Sequence, residues 1–216
     1  MLLSPLSIVL GSRSPRRREL LGLIVPPESI LVLPPSSSEE QGFGDCHTLE
    51  QIKERIQSVV SHKHEDVLQQ VSRLPNAAEI RAVVSADTIV IAFDHAQQPL
   101  VMGQPPENDQ WQSTVREWFL NYYLGKEHLV MTAVKVTIPG GASQTEIATA
   151  RLVSPQSTAH WLEWYLATGE SRGKAGGYGL QGGGSMFFDQ VTGEITTVIG
   201  LPIATTKTIL DAFGLT

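Results

Sequence analysis

The apolar run Ile8-Val-Leu10 stops at Gly11, and two serines then lead into Pro15, a residue favoured at the first position of a helix. This pattern predicts a short buried strand and a helix over residues 15 to about 23, ended by Pro26-Pro27. A second short strand is expected at residues 30–33, then a polar loop over 34–40 carrying the paired acids Glu39 and Glu40. Between 49 and 71, Ile52, Ile56, Val59, Val60, Val67, Leu68 and Val71 recur at helical spacing, predicting one long helix or two with a break near Ser61-His62. Residues 82–91 are almost continuously apolar, as in a strand covered on both faces. A helix is expected at 111–124, with Trp111, Val115, Trp118, Phe119 and Tyr122 along one face. Strands at 129–138 and 146–153 pair as a hairpin across Pro139-Gly-Gly. A helix at 156–167, two short strands at 186–191 and 194–199, and a last helix at 203–213 complete the pattern. Alternating strands and helices with an inserted hairpin argue an α/β architecture built on a mixed sheet. No linker or repeat divides residues 1–216, which are expected to form a single domain.

Composition narrows the class. With 41% hydrophobic residues the chain is that of a globular protein, and its net charge of −6 does not favour nucleic-acid or acidic-membrane binding. Cys46 is the single cysteine, which excludes a scaffold built on intrachain disulfides. No apolar run reaches the roughly 18 residues of a membrane span, and the first ten residues make a poor signal peptide. A cytoplasmic enzyme or binding protein is expected.

In so acidic a chain the run Arg16-Arg17-Arg18 stands out, because the first turn of a helix disfavours cations. Cations there make sense if an anion is bound by free backbone N–H groups, the Ser12 and Ser14 hydroxyls and the guanidinium groups together. The alternative is a solvated arginine face. Asp87 lies between the apolar stretches 82–86 and 88–92, where an unpaired carboxylate is costly unless a cation or metal meets it. The alternative is an acid capping a neighbouring loop. The stretch 173–184 is too glycine-rich for a regular element. Gly177-x-Gly179-x-x-Gly182 imitates a dinucleotide fingerprint but does not open a helix, and 169–175 fails the phosphate-loop pattern by one residue and by ending in Ala175. What remains is either a flexible hairpin or a loop whose backbone approaches a ligand, with Lys174, Tyr178 and Gln181 as its polar side chains. Gln181 offers a donor and an acceptor together, as reading a nucleobase edge requires. His62 and His64 read as a solvated pair on a helix rather than metal ligands, His128 as structural, and Cys46 carries no sign of a nucleophile.

Three segments in order, Ser12-Arg-Ser-Pro-Arg-Arg-Arg-Glu-Leu-Leu21, Ser85-Ala-Asp-Thr-Ile-Val90 and Lys174-Ala-Gly-Gly-Tyr-Gly-Leu-Gln-Gly182, resemble the signature segments of the Maf family. Gly125-x-x-His128-x-x-x-Thr132 and Val198-Ile-Gly-Leu-Pro-Ile203 match a middle and a closing segment, so the resemblance covers nearly the whole chain. It implies a mixed twisted sheet with helices on both faces, similar to inosine-triphosphate pyrophosphatases, with two lobes around a cleft. It also implies a nucleoside triphosphate pyrophosphatase that uses a divalent metal, Mg²⁺ or Mn²⁺, and is often a homodimer. Asp87 matches the catalytic acid. Ser12, Arg16 and Arg17 match the phosphate-gripping turn, Lys63 the lysine of the long helix, Lys174 that of the glycine-rich segment, and Glu39 (or Glu40) the metal-binding loop acid. Arg17, Thr88 and Gln181 match the specificity set of the branch that prefers dTTP and UTP.

One departure stands out. Met102-Gly103-Gln104-Pro105 has Gln104 where the family usually has lysine, removing a positive charge from the phosphate contacts. Two alternatives follow: a nucleotide-binding regulator linked to cell division that has lost catalysis, and an inosine-triphosphate-type housecleaning pyrophosphatase.

Overall fold

A computed structural model of the protein describes residues 7–36 and 41–216. Its elements are β1 (Ser7–Leu10), α1 (Pro15–Leu21), β2 (Ile30–Val32), α2 (Leu49–Val71), β3 (Ile80–Phe93), β4 (Pro99–Met102), α3 (Trp111–Trp118), β5 (Lys126–Thr137), β6 (Ser143–Ser154), α4 (Leu162–Thr168), β7 (Gln190–Thr192), α5 (Ile195–Ile199) and α6 (Ile203–Ala212). They build the expected α/β architecture on one seven-stranded mixed sheet, ordered β2-β1-β3-β5-β6-β7, with β4 also on β3. The β2-β1-β3 part is parallel, and the β3–β4, β3–β5, β5–β6 and β6–β7 pairings are antiparallel.

The central strand has two unlike edges. Along one, β5 pairs with it without interruption from Val83 to Ile91. Along the other, β1 pairs only as far as Val84 and β4 begins only at Val90. Gly11 N–H still reaches the Val84 carbonyl at 2.8 Å, and there β1 turns away. The edge of β3 between those points is a notch in the sheet.

Helices cover both faces. On one, Ile52, Ile56 and Val60 of α2 pack on Ile89, Ile91 and Met131, while Val67 and Val71 pack on Val9, Ile80 and Val83. On the other face there are two cores. Leu20 and Leu21 of α1 with Ile209 and Leu210 of α6 cover Ile8, Leu10, Val84 and Ala86. Val115, Phe119, Tyr123, Leu162 and Tyr165, from the α3 and α4 segments, cover Val90, Ala92 and Val130. Thr88 falls between these two cores.

Several boundaries differ from the sequence reading. α2 runs unbroken for 23 residues from its cap at Thr48, whose hydroxyl accepts Gln51 N–H at 3.2 Å. The polar residues that suggested a break are absorbed. His62 is exposed, but His64 is fully buried and its ring bonds Ser85 Oγ at 2.9 Å and Thr137 Oγ1 at 2.7 Å, so it is not half of a solvated pair. The helix at 111–124 widens into a π-type turn over Phe119–Tyr123, and the one at 156–167 opens with a 3₁₀ turn, Gln156–Trp161. The strand expected at 194–199 is instead α5, and its partner at 186–191 is reduced to β7 after a 3₁₀ turn over Gly183–Phe187. Ile195-Thr-Thr-Val-Ile199 has strand-forming composition, but such preferences yield to tertiary context. In this helical form the Thr197 carbonyl accepts from Thr132 Oγ1 at 2.7 Å.

Candidate functional site

A cleft of about 1120 Å³ opens at the notch, lined by the β1–α1 turn, β3, the end of β4, the glycine-rich segment and the start of the α5–α6 connection. Its size is slightly above the roughly 300–1,000 Å³ usual for small-molecule sites. Ser12, Arg16, Arg17, Lys63, Asp87, Thr88, Gln104, Lys174 and Gln181 all line it. Glu39 and Glu40 lie outside the described residues.

The local sequence explains the β1–α1 turn. Ser14 caps α1 by accepting Arg17 N–H, Pro15 fills the first helical position, and the first turn carries no acid. Arg16 and Arg17 therefore start beside the positive end of the helix, yet they differ in surroundings. The Arg17 guanidinium donates to the Gly200 carbonyl at 2.7 Å, to Ser12 Oγ at 3.2 Å and to Thr88 Oγ1 at 3.1 Å. Gly200 can take that place because its φ of +127° suits glycine. Arg16 instead approaches the far wall closely enough for its charge to act on Lys174. Burial, aided by Arg16, lowers the Lys174 ammonium's pKa, while Glu170 opposes the shift. Arg18 is exposed in the last turn of α1.

Asp87 is nearly buried, and its Oδ1 accepts from Lys63 Nζ of α2 at 2.5 Å. This ion pair offsets part of the cost of a carboxylate in an apolar strand. Its Oδ2 has no hydrogen bond from a described residue. Asp87 is therefore not a loop cap but a cleft-facing acid held by a lysine. Among the described residues no group of three His, Cys, Asp or Glu side chains is disposed to hold a metal by itself.

The glycine-rich segment is a tethered loop, not a flexible hairpin. Gly176 N–H donates to the Gly103 carbonyl at 2.9 Å, Tyr123 OH to the Gly176 carbonyl at 3.1 Å and Tyr165 OH to the Gly177 carbonyl at 3.3 Å. Tyr178 OH meets His128 Nε2 at 2.6 Å in the buried core beneath. A side chain at Gly176 would put Cβ 2.6 Å from Val90 Cγ2, so the loop lies directly on β3. At its far end Glu170 accepts Gly183 N–H at 2.7 Å and Gly184 N–H at 3.4 Å, and the Glu170 carbonyl accepts from Lys174 Nζ. Gln181 stands exposed at the rim between these anchors.

The Maf-like protein family profile matches residues 7–213. The chain belongs to the Maf-like family. Among curated proteins, this Maf-like chain is similar to a dTTP/UTP pyrophosphatase of Cereibacter sphaeroides, at 34% identity over 97% of this chain and 96% of that one. It is also similar to a dTTP/UTP pyrophosphatase of Bacillus pumilus, at 31% identity over 97% of each. A solved nucleoside-triphosphatase (dITP/XTP pyrophosphatase) from Mycobacterium abscessus has a TM-score of 0.40 and 9% identity, covering 69% of this chain and 75% of that one, too distant a likeness to bear on the reading below.

Motif and spacing do not mark Glu170, Gly200 and Thr132 as site residues. Glu170 lies before the glycine run. Gly200 and Thr132 sit inside matched segments, but only the folded chain puts them behind Arg17 and Thr88.

Proposed function

We propose that this Maf-like chain is a nucleoside triphosphate pyrophosphatase, cleaving dTTP, UTP or modified pyrimidine nucleotides to the monophosphate and pyrophosphate. The observation that carries this reading is the cleft-facing carboxylate of Asp87, held by Lys63 and facing walls that carry Arg16 and Lys174. A triphosphate fits cations on opposite walls, and the attacked phosphorus then lies over the carboxylate. Names shared by the relatives support the nucleotide and the reaction class.

In this reading Asp87 Oδ2 takes a proton from a water as its oxygen bonds to the α-phosphorus. The bond from that phosphorus to the bridging oxygen breaks, and its electron pair leaves with pyrophosphate. Arg16 and Lys174 neutralise the leaving group's charge, Lys63 fixes the carboxylate, and Ser12 supports the turn. Arg17, Thr88 and Gln181 read the base. Glu39 with phosphate oxygens would hold Mg²⁺ or Mn²⁺, ions suited by hard oxygen donors, and the bound ion would supply charge neutralisation. Gln104 faces the cleft without a charge, leaving the phosphates to Arg16 and Lys174.

Pyrophosphate release from a nucleotide panel with Mg²⁺ or Mn²⁺ tests the reading. Asp87→Asn is expected to lower kcat by about 10²–10⁴-fold, the usual worth of a positioned general base. An unimpaired variant, or tight binding of every nucleotide without turnover by the wild type, refutes the proposal, and the second result favours a non-catalytic regulator. Gln181→Glu is expected to shift base preference while pyrophosphate release persists.

A further inference from the structure

The strongest unabsorbed feature is a chain of hydroxyls behind the cleft wall. Thr132, fully buried on β5, faces Thr88 across the sheet in direct register, with their Oγ1 atoms 2.9 Å apart. On its other side Thr132 Oγ1 lies 2.7 Å from the Thr197 carbonyl. A carbonyl can only accept, and a threonine hydroxyl has one hydrogen. That hydrogen therefore goes to Thr197, and the hydrogen between the two threonines must come from Thr88. Thr88 has then spent its own donor. Its oxygen accepts from Arg17 at 3.1 Å, and one lone pair remains.

We propose that Thr132 is a positioning residue that fixes the Thr88 hydroxyl as a pure acceptor toward the bound nucleotide, so that the atom meeting Thr88 must be an N–H or O–H. This deepens the function proposed above and rests on it. A phosphate oxygen has no hydrogen to offer and is repelled there, which sends the triphosphate toward Arg16 and Lys174. A uracil or thymine ring offers its imide N–H, whereas cytosine presents a lone pair at the same ring position. The polarity set from behind the sheet thus favours imide bases over cytosine. Without the Thr132 oxygen, the remaining acceptor behind Thr88 is the Gly200 carbonyl, at 3.5 Å too far to hold the hydrogen, which is then free to turn into the cleft, and the distinction is lost.

The test compares kcat/KM for UTP and CTP in wild type, Thr132→Val, Thr132→Ser, Thr88→Val and the Thr88→Val/Thr132→Val pair, with thermal unfolding of each. Valine keeps the shape and removes the hydroxyl, and serine keeps the hydroxyl. Thr132→Val is expected to lower the UTP-to-CTP ratio about tenfold, the scale of one neutral hydrogen bond, and Thr132→Ser to restore it to within about threefold. In the Thr88→Val background the Thr132 change is expected to leave the ratio alone. An unchanged ratio in Thr132→Val, a serine variant no better than valine, or an equal effect without Thr88 overturns the proposal. The last result assigns the effect to the Thr197 carbonyl. Should Thr132→Val fail to fold, binding of N3-methyl-UTP decides, because it lacks the imide hydrogen. Wild type is expected to bind it about tenfold more weakly than UTP and Thr88→Val to bind both alike; equal binding by wild type overturns the proposal. If wild type cleaves neither UTP nor CTP, the pyrophosphatase reading fails by itself. The same comparisons then run as equilibrium binding of the α,β-methylene analogues, with the same outcomes.

Discussion

His64 makes the protein acid-sensitive in a way that can be worked out in advance. The ring is fully buried between two hydroxyls, and burial, with Lys135 adding a like charge, lowers its pKa from 6.5 to about 4. The unfolded chain therefore binds a proton near pH 6.5 that the folded chain refuses until about pH 4, and stability falls as pH drops through that window. At pH 5 about nine-tenths of a proton separates the two states, a slope of about 1.2 kcal/mol per pH unit. Integrated from pH 7 to pH 5, His64 costs about 2 kcal/mol. Urea unfolding of wild type and His64→Gln across this range measures it. The variant, which keeps a donor and an acceptor but cannot titrate, is expected to be less stable at pH 7 and to close about 2 kcal/mol of that gap by pH 5. Parallel curves for the two proteins refute the reasoning, whatever their offset, because other titrating groups are common to both.

His128, fully buried with its pKa lowered to about 3 by burial, is expected to behave alike: in His128→Gln the fall in stability between pH 7 and pH 5 shrinks by about 2 kcal/mol, read by the same urea titration. Gly176→Ala combines a φ of +71° with a Cβ only 2.6 Å from Val90 and is expected to cost about 3 kcal/mol. Adding Val90→Ala removes the 2.6 Å contact but keeps the Val90 Cβ at 2.9 Å and the backbone strain, so thermal melts of the pair should recover only part of the loss. Glu170→Ala frees the Gly183 and Gly184 amides, and KM for the nucleotide is expected to rise about tenfold with kcat less affected, since a hydrogen bond to a charged group is worth about 1.5–3 kcal/mol. Steady-state kinetics check it, with Glu170→Gln expected to lie between.

The frame of the molecule was readable from the chain because its apolar periodicities are strong. The unbroken stretch at β3 and the spacing in α2 located the two elements that carry Asp87 and Lys63. The strand forecast for 194–199 failed because nearest-neighbour composition knows nothing of a carbonyl needed by Thr132, 65 residues away. His64 is hidden from sequence for a related reason: a polar residue within an apolar stripe looks solvated until its partners, Ser85 and Thr137, are in place. Motif residues on one turn or one loop could be found by spacing. Their supports could not, since Thr132, Gly200 and Glu170 act through contacts that only the assembled sheet creates.

The notch in β3 has a consequence for how such a site can change. In a closed sheet neighbouring residues point to opposite faces and cannot serve one ligand. Here the missing edge lets Asp87 and Thr88 reach the same cleft while each is braced from its own side, Asp87 by Lys63 of α2 and Thr88 by Thr132 and the Thr197 carbonyl of α5. Reaction and selection are adjacent along the chain yet mechanically separate. Substitutions on the α5 side can retune which nucleotide is accepted while the carboxylate stays where it is, and a lineage can thereby explore new substrates without first giving up its chemistry.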